Sequence, residues 1–132
     1  MLGSKIRGVV LFETILVLPI LFLIVFAIIQ FGSLFFNRQQ IQHIAYNATR
    51  AAVMNVNSDA SQIESLIDTQ MTNLNLTDHT TTITDNFKLL QKGQPITVSI
   101  SIPVSQLVWL NNYTLNFSNM NIKVQHTMAK EY

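Results

Sequence analysis

The sequence predicts an α+β fold. A long N-terminal transmembrane helix continues into an amphipathic helix, followed by a second helix and a small antiparallel sheet of three or four strands. Three observations predict it. The run from Val9 to Phe36 is apolar on all sides and too long for an ordinary core helix. Apolar residues then keep helical spacing to about Val53, and again between Asp59 and Met71. From His79 onward the period changes to two.

Polar side chains in the apolar run are limited to Glu13, Thr14, Gln30 and Ser33, and none occurs between Ile15 and Ile29. From Ile15 to Phe36 the helix would measure about 33 Å, enough to span hydrocarbon. Lys5 and Arg7 precede it, so the positive-inside tendency places the N-terminus in the cytoplasm and sends the remainder across the membrane. A cleavable secretory signal fits poorly, because Ala27-Ile28-Ile29 and Phe31-Gly32-Ser33 are weak small-x-small sites. The expected division is a leader at residues 1–8, a transmembrane helix at 9–36 and an exported domain at 37–132. That domain includes the helix continuation to about residue 54.

In the continuation, Ile41, Ile44, Ala45, Ala48 and Ala52 share one face. Ser58 or Asp59 can cap the second helix, and Gln62 completes a capping box with Asp59. Ile63, Leu66, Ile67 and Met71 form its apolar stripe, with Asp59, Glu64 and Asp68 on a polar face. Asn73 to Asp78 reads as a turn. Ile96, Val98, Ile100 and Ile102 alternate with Thr97, Ser99, Ser101 and Pro103 in the clearest strand. Met120, Ile122, Val124 and Met128 suggest a second, and Thr80 to Phe87 a weaker third. Lys92-Gly93-Gln94-Pro95 reads as a turn.

Composition narrows the function. Charged residues are only 11% and the net charge is +1, which leaves no basic footprint for nucleic acid. The absence of Cys removes disulfides, thiolate metal sites and cysteine nucleophiles. His43, His79 and His126 have no paired metal-ligand spacing. No catalytic motif or cofactor signature is present, and no enzyme is expected.

Two places stand out. Glu13 is an acid inside an apolar segment, costing about 2–3 kcal/mol on insertion scales unless it has a partner or a role. It lies five residues after Gly8. Leu107, Val108, Trp109 and Leu110 form an apolar connection that either folds onto the core or makes a subunit or membrane contact.

The order Gly8, four apolar residues, then Glu13 at the head of an apolar helix resembles the class III signal of type IV pilins and pseudopilins. Arg7-Gly8-Val9-Val10-Leu11-Phe12-Glu13, Pro19, Gln30-Phe31-Gly32 and Ala48-Thr49-Arg50-Ala51-Ala52 are similar to TadE-like minor pilins of tight-adherence pilus systems. Thr14 stands where that family usually has an aromatic residue. Ile122 to Tyr132 also resembles the family's last strand. The resemblance implies cleavage between Gly8 and Val9 by a prepilin peptidase. It further implies assembly with other pilins on a pilus platform, as a hetero-oligomer serving surface attachment. Glu13 could then pair with the new Val9 amine of a neighbouring subunit and fix axial register, and Pro19 would loosen or kink the helix. The alternative is an uncleaved single-pass anchor presenting a small extracytoplasmic binding domain.

Overall fold

The computed structural model describes residues 3–54, 59–107 and 119–131, with backbone alone for residues 3–9. The chain forms two compact units, Met1–Ser33 and Leu34–Tyr132. One helix, α1 (Gly3–Met54), supplies the described residues of the first unit and enters the second. In the first unit the large apolar side chains from Val10 to Phe31 are 42–70% exposed. That much exposed apolar surface requires lipid or partner helices to cover it.

In the second unit the helical spacing has the consequence expected of it. Ile41, Ile44, Ala45, Ala48, Ala52 and Val53 are all buried. Thr49 lies in the same face, and its hydroxyl donates to the Ala45 carbonyl at 2.7 Å. That local bond lets a polar side chain sit in the core. Helix α2 (Ala60–Asn73) starts with the anticipated capping box, in which the Asp59 amide donates to Gln62 Oε1 at 3.3 Å. Ile63, Ile67 and Met71 are buried, while Leu66 is only half-buried.

Helix α2 ends in a Schellman arrangement. The Asn75 amide donates to the Thr72 carbonyl at 2.9 Å and the Leu76 amide to that of Met71 at 3.0 Å. Asn75 takes the left-handed conformation, φ 58°. Glycine is freer there. Asn75→Gly should therefore stabilise this unit by up to about 1 kcal/mol, read as a higher thermal midpoint in detergent.

The sheet comprises β1 (Thr80–Ile83), β2 (Pro95–Pro103) and β3 (Asn121–Ala129), antiparallel in that order. The three strands match the lower number expected. Register sets Thr81, Ile100 and Val124 side by side on the inner face, and Thr80, Ser101 and Lys123 on the outer. Ile96, Val98, Ile100 and Ile102 are fully buried with the helices over one face, a two-layer solution. The prolines stand at the ends of β2, where a missing ladder donor is tolerated.

The weak strand expected over Thr80 to Phe87 stops at Ile83. Asn86 turns left-handed at φ 52° and a 3-10 turn, Phe87–Leu89, follows and buries Phe87. Lys130 holds this turn from the far end of the chain. Its Nζ donates to the carbonyls of Phe87, Lys88 and Leu90 at 3.2, 2.8 and 2.7 Å. Lys130→Met keeps the stem and removes the charge-assisted donor, so it should cost about 1–3 kcal/mol by urea titration.

Candidate functional site at the head of the apolar helix

Gly8 and Val9 lie within the helical backbone of α1, four residues and more before Glu13. Glu13 is exposed and makes no hydrogen bond or ion pair among the described residues. Thr14, next to it, satisfies its hydroxyl within the helix by donating to the Val10 carbonyl at 2.8 Å. That bond removes the cost of a free hydroxyl in an apolar setting. Glu13 keeps its own cost, since carboxylate oxygens cannot be satisfied by carbonyls of the preceding turn. The chemistry available here is that of one anion presented on an apolar rod.

Helix α1 continues through Pro19. Further along, the amide of Gln30 has both polar atoms shielded and unpartnered among the described residues. In the sequence Gln30 is a polar interruption of the apolar run with no evident role. The signal was present, because a lone amide in an apolar run seeks a hydrogen bond from another helix.

The four-residue connection is divided. Leu107 follows a 3-10 turn, Val104–Gln106, and is buried in the core at 3% exposure. Of the two places open to it in the sequence, it takes the inner one and offers no free contact surface. Val108, Trp109 and Leu110 lie outside the described residues. The histidines go to separate places. His43 is exposed, His79 Nε2 is 2.8 Å from Asp68 Oδ1, and the His126 ring packs edge-on to Tyr46 at 5.1 Å. Among the described residues no three His, Asp or Glu side chains gather as metal ligands.

Comparison with known proteins bears on the same segment. A family model described as TadE-like protein matches residues 8–50, from the candidate processing glycine to Arg50. Residues 8–50 are therefore similar to the TadE-like family. No curated protein and no solved structure matches it. The matched stretch contains Glu13, Pro19 and Gln30 and ends within α1, so α2 and the sheet stand outside it. Among the described residues, one helix is long and apolar enough to cross a membrane.

Proposed function

We propose that this chain is a TadE-like minor pilin or pseudopilin, a structural subunit or assembly factor of a Tad-type pilus involved in surface attachment. The observation that carries the reading is Glu13, five residues after Gly8, on a helix whose large apolar side chains are exposed from Val10 to Phe31. A helix of this kind can be stored in lipid and later packed among other apolar helices. Prepilin peptidase cuts between Gly8 and Val9 on the cytoplasmic side of the inner membrane. The new Val9 amine has an ordinary pKa near 7.7–8.0, so it is largely cationic near neutral pH. Glu13 of one subunit meets that amine of its neighbour, and mutual neutralisation lowers the desolvation cost of both. Pro19 removes one backbone donor and gives the helix a point at which to bend on leaving the membrane.

The partners are the peptidase, other pilins and the assembly platform, with the C-terminal unit outside the membrane. The test is to shear pili from cells and identify their subunits by mass spectrometry. The chain should co-purify with pili where the peptidase is active and stay in the membrane fraction where it is deleted. Equal membrane retention in both strains, with pili free of the chain, would leave the uncleaved anchor as the better reading.

A further inference from the structure

Both outer strands of the sheet have an open edge among the described residues, since β1 and β3 each pair only with β2. An unpaired edge is a template for another strand unless it is short, charged, interrupted or covered. β1 is only four residues long but has neither Lys nor Pro, and β3 has a single Lys over nine residues. An open groove of about 490 Å³ runs beside β1, bordered by Ala60, Glu64 and the chain from Thr81 to Leu89.

Direction, face and charge together select an occupant. β1 and β3 are each antiparallel to β2, so they run the same way. A copy shifted sideways by one sheet width therefore brings its β3 parallel to the first copy's β1. Register settles the alignment. Thr80, Thr82 and Thr84 align with the outer face of β2, while Thr81 and Ile83 align with the inner face. In β3 the outer positions are Lys123, Gln125 and Thr127, and the inner ones are Val124, His126 and Met128. Parallel strands sharing both faces must then be offset by an odd number of residues. One such offset puts Asp78 beside Lys123; it also brings Asp85 level with Lys130, whose ammonium keeps its bonds to the carbonyls of Phe87, Lys88 and Leu90. Shifting two residues either way puts neither acid beside a lysine. The two aspartates and Lys123 are exposed.

We propose that β1 of one copy adds in parallel to β3 of a second copy, with Thr81 beside His126. The Thr81 amide then donates to the Gln125 carbonyl, and the Thr81 carbonyl accepts from the Thr127 amide. The contact is head-to-tail, so it propagates instead of closing a pair. It concerns the sheet alone and holds whether or not Gly8 is processed.

The absence of Cys from the chain makes the test specific. Full-length Thr82→Cys and Thr127→Cys chains are mixed in detergent micelles and oxidised. Directly paired strands lie about 4.8 Å apart, within disulfide reach. A mixed 82–127 dimer should dominate over either homodimer. Replacing the second chain by Gln125→Cys or Ala129→Cys should lower the yield. Adding Lys123→Glu to the Thr127→Cys chain should reduce cross-linking about two- to fivefold, and Asp78→Lys in its partner should restore it. Predominant 127–127 or 82–82 dimers, or no mixed dimer from chains with unchanged circular dichroism, would overturn the proposal.

Discussion

Ile100→Ala is expected to cost the C-terminal unit about 2–5 kcal/mol, the largest stability loss of any change considered. Ile100 sits at the middle of the central strand, fully buried, with Thr81 and Val124 beside it. The helices close the same face. Truncation leaves a cavity on all of these sides, and the strands cannot collapse into it without breaking register. No disulfide supplements the core, because the chain has no Cys. Domains of this size have only about 5–15 kcal/mol in total, so much of the margin goes. Urea titration of the full chain in detergent, followed by far-ultraviolet circular dichroism, should show a midpoint well below the parent. Leu89→Ala is the comparison, since Leu89 is 83% exposed and its loss should stay within about 0.5 kcal/mol.

Glu13→Gln should carry the largest functional effect while leaving that core untouched. The amide keeps the size of the side chain and removes its charge. Membrane insertion should be no worse, because the carboxylate itself costs about 2–3 kcal/mol near the bilayer. Packing among pilus helices should fail, because the neighbour's Val9 amine would be buried without a counter-charge. Removing one partner of a buried pair costs about 3–5 kcal/mol, enough to reduce incorporation by more than tenfold. Glu13→Asp keeps the charge on a shorter stem and should recover part of it. Quantifying the chain in sheared pili and in membranes of the same cells measures both. Undiminished incorporation of Glu13→Gln would remove the register role.

The parts of the fold set by local rules were legible. The face of Ile41, Ile44, Ala45, Ala48 and Ala52 is buried as its spacing required. The Asp59–Gln62 box opens α2, and the alternation from Ile96 to Ile102 gives the central strand. What stayed hidden depends on distant partners. Nothing near Lys130 announces that its ammonium closes a turn some 40 residues earlier. Threonines suggested a strand as far as Phe87, yet Asn86 turns left-handed and sends Phe87 inward from a 3-10 turn. Leu107 carried two readings because its neighbours in sequence do not decide which side it faces. At the candidate site, Glu13 was conspicuous as a charge among apolar residues. Gln30 was visible as a lone amide in the apolar run, but that both its polar atoms are shielded and unpartnered among the described residues shows only in the folded chain.

The central claim is that Gly8 and Glu13 belong to a processing signal and that the mature chain is an assembly subunit. Intact mass and N-terminal sequencing of the chain from its native membrane test it most directly. The account predicts a mature protein beginning at Val9. A chain that keeps residues 1–8 in cells with active prepilin peptidase would contradict it, and would leave a membrane-anchored domain with no part in a pilus.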